Sequence, residues 1–379
     1  MRIVFVAGCL APGRDGVGDY TRMLARECAR RGHAVALVSL AEPRRVETPA
    51  AEDAGTPVLR LTLAESGDGH AVRAWVRAFA PDLASLHFVP YSFHPRGFFG
   101  PKVPLLAAAV APARLRHVFF HEVWIGTARD AGWKERASGW WQRRAVAELL
   151  DAVAPEVVHT SNAYYRAALA TLGREARVLP VFGSVPLPVG PVMPATLADI
   201  PEGALVCGMF GSLHPNWQSE PFLEDFAALA SREGRPPVLA ATGGLRHGLE
   251  FFNRLKARWA GRIAFVALGE HSVPRLAEIF ARFDFAVSAS PWLLIGKSAS
   301  AAALREHGLG VVITNAGSLP RFAWEPGLGE PGDPGFVPYF RDRSLLLRVP
   351  ERTAPRAGVA AAADVFLRDV AEVDEGGNA

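Results

Sequence analysis

The chain has 379 residues, half of them hydrophobic and about a fifth charged, a composition for two ordinary globular domains rather than one core. Lysine and arginine total 41 against 38 aspartate and glutamate, a balance that argues against the basic stripe of a nucleic-acid binder. Cys9, Cys28 and Cys207 are scattered and odd in number, which argues against a disulfide framework or a zinc knuckle and for a reducing, cytoplasmic setting.

The opening RIVFVAG, from Arg2, reads as a strand. It is too short, and too soon broken by Pro and Gly, for a signal peptide. A Gly-rich loop follows, then a helix from Asp19 to Arg31, then a strand from Ala34, AVALVSL. Further strands are expected at VLRLTL, LASLHFV, HVFFHEV, EVVHTS and ARVLPVF, with helices near residues 70–80, 136–152 and 162–172. The apolar VPLLAAAVAP near residue 105 is too short to span a bilayer. The proline-rich stretch from Ser184 to Gly203 cannot be a central strand or a regular helix and reads as a linker. Alternation then restarts with ALVCGMFG, PVLAATGG, RIAFVALG, FAVSASP and GVVITN, and ends in an Ala-rich helix from Ala357 to Val370. The pattern predicts the α/β class, with two doubly wound Rossmann-like domains facing a cleft, at 1–185 and 203–350. The tail, 351–379, supplies a last helix. In such sheets ligands bind beyond the carboxyl ends of the strands, where the chain direction splits.

The first loop reads APGRDGVGDYTRMLARECARRGHAV. Gly16 and Gly18 allow close backbone approach, and Asp19 is expected to cap the helix. Free amides at such a helix start favour an anion. On the residues alone, a tight strand-to-helix turn is the plainer reading. The wider string resembles the opening of the large family of retaining nucleotide-sugar glycosyltransferases with the GT-B fold, the family 4-like enzymes. There a Gly-Gly-x-Gly loop precedes a helix closing in Arg-Gly-His-x-Val. Here Asp15-Gly16-Val17-Gly18 has Asp at the first Gly, and Arg31-Gly32-His33-Ala34-Val35 closes the helix. The resemblance runs from Met1 to about residue 315. It implies that 1–185 is the acceptor-side domain, that 203–350 binds the nucleotide-sugar, and that the tail helix returns to the first domain. It also implies that Gly16, Gly18 and Asp19 lie near the donor diphosphate.

In HVFFHEVW, His121 matches the family histidine that contacts the transferred sugar, which makes it the candidate catalytic residue with Glu122 beside it. Trp124 is assigned to the acceptor pocket, with His94 and Arg96 of the aromatic, Pro-rich loop Phe88–Pro101. His117 and His121 stand four apart on a predicted strand without HExxH, a poor zinc pattern. Ser161 and Asn162 read first as a helix cap.

In the second half, SASPWLLIGKSASAAALREHGLGVVIT reads strand, loop, helix, strand. Gly296, Lys297 and Ser298 stand at the helix start, Ser298 as its cap, a good place for a diphosphate. Pro291, Gly296, Gly308, Val311 and Val312 fit the family segment. Its two glutamates, one near the transferred sugar and one on the ribose, fall on Ile295 and Ala303. The Arg and Lys that hold the diphosphate after the first strand fall on Ser212 and on Asn216 or Trp217, beside Gly211. Lys297 is the expected substitute for these lost charges. Gly243, Gly269 and Glu270 complete the donor-side candidates. The sequence thus predicts a glycosyltransferase with a nucleotide-sugar donor, an unidentified acceptor, and no metal or other cofactor. The alternative is an inactive GT-B protein that binds a nucleotide-sugar or a partner enzyme. A P-loop nucleotidase is remote, because Pro291 stands where a Walker loop needs its first glycine. Trp133, Trp140 and Trp141 lie among Lys134, Arg136, Arg143 and Arg144. They read first as inward-facing core residues, and second as a surface for peripheral contact with a membrane.

Overall fold

A computed structural model describes residues 1–48, 50–53, 55–213, 217–245, 248–325, 327–349 and 351–376. Asn216, one alternative for the family's lysine, lies outside the described residues. The chain forms two compact units. The first comprises Met1–Val181, Ser318–Gly329 and the chain from Val359; the second comprises Phe182–Gly317 and Glu330–Gly358.

The first unit contains β1 (Arg2–Ala7), α1 (Gly16–Arg30), β2 (Ala34–Ser39), β3 (Ala50–Asp53), β4 (Thr56–Arg60), α2 (Leu63–Ser66), α3 (His70–Phe79) and β5 (Leu83–Phe88). It continues with α4 (Pro90–Phe93), α5 (Val103–Val110), β6 (Leu115–Phe120), α6 (Trp133–Val153), β7 (Val157–Thr160), α7 (Ala163–Ala170) and β8 (Arg177–Val178). The sheet order is β3-β4-β2-β1-β5-β6-β7-β8, parallel except for the β3–β4 hairpin. Ile3 to Ala7 are fully buried, as a strand covered by helices on both faces requires. The hairpin strand β3 was not expected, because its AAED sequence carries no apolar run. The expected strand ARVLPVF shrinks to Arg177–Val178, since Pro180 has no N–H to continue the ladder.

The second unit contains β9 (Leu205–Phe210), α8 (Glu220–Glu233), β10 (Pro237–Thr242), α9 (Leu249–Arg258), β11 (Ala264–Gly269) and α10 (Val273–Arg282). It closes with β12 (Phe285–Pro291), α11 (Ala299–Glu306), β13 (Val311–Asn315) and β14 (Phe336–Val337). All neighbours in the order β11-β10-β9-β12-β13-β14 run parallel. Both sheets are therefore doubly wound, with the chain leaving in opposite directions on either side of β1 and of β9. The proline-rich stretch is no free tether. Val185, Ala195 and Ile200 are buried in the second core, and Ala195 N–H donates to the Glu278 carbonyl.

Two segments return to the first unit. Tyr164 packs on Phe322 and Trp324, and Ala128 bridges Pro320. The last helix, α12 (Gly358–Gly376), buries Ala362, Ala363, Phe366 and Val370. Phe366 meets Phe5 and His117, and Arg31 and Arg114 pair with Asp364 and Asp374. One preferred reading fails. Trp133, Trp140 and Trp141 face solvent, while α6 turns Gln142, Val146, Leu149 and Leu150 inward.

Candidate active site

The carboxyl edge of the first sheet is filled with side chains. Asp15, not Asp19, caps α1: its carboxylate accepts from Val17 N–H at 2.9 Å. The helix starts one turn earlier than expected because Gly16, Val17 and Gly18 all join it. Asp19 instead accepts from Gly13 N–H at 3.1 Å and ties down the loop. Gly18 is buried, and a methyl group there would overlap the Cys9 carbonyl oxygen; Gly16 has open space around it. Gly18 is thus required for the contact of the helix with the loop after β1, whereas Gly16 has open space around it.

Buried Glu42 fixes the loop after β1. It accepts from Leu10 N–H (2.9 Å), Ser39 Oγ (2.7 Å) and Arg60 Nε (3.0 Å), and from Cys9 Sγ at 3.2 Å. Burial alone raises the pKa of Glu42, but Arg60, the Leu10 amide and Ser39 outweigh it and hold the carboxyl below its usual range. Burial pushes the Cys9 thiol up to about 11, so it is no nucleophile at neutral pH.

His121 lies just past β6, 8 % exposed, with its ring against Phe119 at 4.0 Å and Tyr20 at 5.1 Å between centroids. Its Nε2 faces Nδ1 of His87 at 3.1 Å. Nε2 of His87 is buried with no partner among the described residues. An orphaned N–H is costlier than an unused lone pair. The proton of His87 therefore belongs on Nδ1, donating to His121, whose own proton then sits on Nδ1. Burial holds His87 down at about 3 and His121 well below the usual imidazole value. His121 is a neutral hydrogen-bonding group at pH 7, not a cation. Below it, Asp369 of α12 bonds His159 (2.9 Å), His159 bonds His117 (3.0 Å), and His117 bonds Ser85 (2.8 Å). His117 is thereby engaged. No group of three or more metal-binding side chains stands together among the described residues.

The acceptor candidates serve the loops. His94 Nδ1 accepts from the Arg96 and Phe98 amides, both at 3.1 Å. Trp124 is buried, with the Arg143 guanidinium 5.9 Å above its ring. Glu122 is half-buried beside them. Buried Gln142 joins the two loops, accepting from Ile125 N–H and donating to the Arg96 carbonyl. Sequence reading missed His87, Gln142 and Tyr20, whose partners lie far away in the chain. Asn162 caps α7 by accepting from Tyr165 N–H, its expected default role.

The carboxyl edge of the second sheet is open instead. Gly211, Gly243 and Gly269 end β9, β10 and β11 with φ of +92°, +91° and +76°, a backbone turn that other residues resist. Gly211 N–H donates to the Thr242 carbonyl and Gly243 N–H to the Gly269 carbonyl. A side chain on Gly211 would meet Ser300 Oγ at 2.7 Å. Exposed Glu270 lies over Gly244 at this edge.

Beside these glycines, between the ends of β9 and β12, lies a cavity of about 520 Å³. This is the point where strand order reverses, the usual ligand position in an open sheet. Ser212, Trp217, Ser288, Lys297, Ser298 and Ser300 are among its lining residues. Lys297 is its one ionisable lining residue among those described. Ser298 caps α11 by accepting from Ala301 N–H at 3.2 Å. Gly296 is exposed on the short 3-10 turn before it and does not line the cavity. Trp217, at the family's lysine position, spends its Nε1–H on Thr314 at 2.8 Å.

The two positions aligned with the glutamates of the resembled family are apolar and closely packed. Ile295 is buried in the core, and Ala303 is fully buried with its Cα 2.5 Å from where a Gly183 side chain would begin. A carboxylate at either place would be desolvated without a partner. The acid on this helix is Glu306, which accepts from Gly183 N–H at 2.7 Å. Burial raises its pKa, against bonds from the Gly183 and Gly358 amides.

A larger cavity of about 560 Å³ in the first unit is lined by Arg22, Asp53 and Arg60, among others. Arg22 pairs with Asp53 at 3.1 Å and Arg60 with Glu42 at 3.0 Å. Its two arginines are committed to carboxylates.

No family model matches the chain. No curated protein matches it either. Solved structures do. The catalytic domain of starch synthase IV from Arabidopsis thaliana, bound to ADP and acarbose, aligns with TM-score 0.55 at 11 % identity over 99 % of both chains. A Listeria monocytogenes protein provisionally assigned as a UDP-N-acetylglucosamine 2-epimerase aligns with TM-score 0.54 at 12 % identity, over 99 % of this chain and 97 % of that one. Anabaena HepE in complex with UDP-glucose aligns with TM-score 0.50 at 15 % identity over 99 % of both. The fold is GT-B. At these identities the likeness is one of fold, and function must be argued from the site.

Proposed function

We propose that the protein is a glycosyltransferase that takes a sugar from a nucleotide-diphosphate sugar and passes it to a hydroxyl acceptor. The observation that carries this reading is the switch-point cavity of the second unit, lined by Lys297, five serines and the start of α11. A cation, hydroxyl donors and helix-start amides converge there, the chemistry that holds a diphosphate. The ADP complex of the starch synthase and the UDP-glucose complex of HepE are consistent with such a donor. Positioning and stabilisation of the departing diphosphate supply the rate in this reading. Neutral His121 serves the sugar by hydrogen bonding. Retention of anomeric configuration follows from the family resemblance.

A second reading has its own observation. Buried, close-packed Ile295 and Ala303 replace both family acids, which favours a protein that binds a nucleotide-sugar without transferring it. Thermal stabilisation against a panel of nucleoside diphosphates and their sugar conjugates tests the site. A shift selective for one base and lost in Lys297→Ala supports the donor site. No shift with any nucleotide overturns it. Release of nucleoside diphosphate from the selected donor then decides between transferase and binding protein.

A further inference from the structure

The chain contains nine tryptophans. Three of them are strongly exposed, Trp133 at 74 %, Trp140 at 56 % and Trp141 at 57 %, and all three lie on α6. The spacing explains why. Residues 133, 137, 140, 141 and 144 recur at helical intervals on the face opposite Gln142, Val146 and Leu149. Trp140 and Trp141 meet edge to face at 4.8 Å, a contiguous aromatic surface about two turns from Trp133. An exposed cluster of this kind is rare on a soluble surface and marks an interaction site.

Charge selects the occupant. Lys134, Arg136, Arg143 and Arg144 flank the indoles. Lys134 Nζ stands 5.6 Å above the Trp133 ring. Arg143 is anchored on the Thr171 carbonyl and over Trp124. Of the helix's three acids, Glu135, Glu148 and Asp151, Glu148 is already paired with Arg144 at 3.0 Å and Asp151 with Arg174. A second copy meeting this face about a two-fold axis would set cations against cations. A bilayer with anionic headgroups meets the same surface with opposite charge. Indole rings, apolar in body with one N–H donor, partition to headgroup depth, and basic residues beside them add attraction to anionic lipid. We propose that the outer face of α6 docks the protein peripherally on an anionic membrane surface, with Trp133, Trp140 and Trp141 inserted at the level of the headgroups.

The test is co-sedimentation of the full chain with phosphatidylcholine vesicles, with and without phosphatidylglycerol, together with tryptophan quenching by brominated lipids. The wild-type chain is expected to bind the anionic vesicles, to be released by salt, and to be quenched at shallow depth. Replacing the three tryptophans together by glutamine should weaken binding by about tenfold or more. The pair Lys134→Glu and Arg136→Glu should remove the preference for phosphatidylglycerol, also by about tenfold or more. These side chains are exposed, so both variants should melt like the wild type. Failure of the wild type to bind anionic vesicles at low salt overturns the proposal, as does unchanged binding by the triple variant. A concentration-dependent dimer that the triple variant abolishes, without vesicle binding, would make the face a contact between copies instead.

Discussion

The two sheets share one winding rule and treat its consequence in opposite ways. Each splits its chain direction at a central strand, β1 or β9, and so leaves a crevice at the carboxyl edge. In the first unit the crevice is closed by Tyr20, Glu42, His87 and His121, all buried and bonded or ring-stacked. In the second unit three left-handed glycines turn the chain away and a cavity with a lysine remains. Topology determines where a site can be; the side chains at the strand ends determine whether it is filled or open.

The sharpest way to break this contrast is at Gly18. Gly18→Ala places a methyl on the Cys9 carbonyl, and backbone cannot yield as a flexible side chain does. We expect a loss of about 4 kcal/mol, read by chemical denaturation. Gly16→Ala, with open space around it, should cost nothing measurable. Equal effects at the two glycines would remove the distinction between packing and open space.

Acid should next separate the units. His87, His117 and His121 have folded-state pKa values depressed by burial. The unfolded chain then binds more protons, so stability is present above about pH 6.5 and is lost as pH falls toward the folded values. With His87 at about 3, this residue alone should cost about 3 kcal/mol by pH 4. Hydrogen exchange at pH 4 should find the first sheet opening before the second. Simultaneous opening would mean that the buried histidines are not the acid-sensitive element.

Lys297→Ala probes the open edge. Nucleotide affinity should fall by about 10- to 100-fold, because Lys297 is the cation that lines the cavity. Calorimetric titration with the nucleotide that stabilises best reads this directly.

The smallest effect is expected at Glu306. Its folded pKa is raised, so the folded state holds its proton longer and stability declines as pH rises from the unfolded value through the folded one. Glu306→Gln keeps an acceptor for the Gly183 amide and should change stability near pH 7 by less than about 1 kcal/mol while flattening that decline. Glu306→Ala orphans the amide and should cost about 1–3 kcal/mol. Melting curves from pH 4 to pH 8 would show a flat difference between wild type and the glutamine variant if the carboxyl does not titrate in this way.

Most strands and the main helices were legible because their information is local. Ile3–Ala7 reads as a doubly covered strand, Ser298 as a cap, and α6 and α7 begin close to their expected positions. Ligand contacts at the candidate residues stay with the proposal, but their placement can be compared. Lys297, Ser298 and Ser212 line one cavity, while Gly296 does not. Gly18 and Asp19 turn out to hold a loop, and His94 braces another.

The sequence by itself determined the α/β alternation, the doubly wound winding and the glycines at strand ends, since these follow from periodicity and from the conformations that single residues allow. Only the tertiary structure decided which residues meet. Asp369 reaches His159 across 210 positions, His87 reaches His121 across 34, and residues 318–329 return to the first unit. The outward turn of the α6 tryptophans was decided in the same way: composition records that indoles prefer burial, but the helix had already given its inner face to Gln142, Val146 and Leu149. Packing partners are a property of the assembled layers, and no local pattern encodes them.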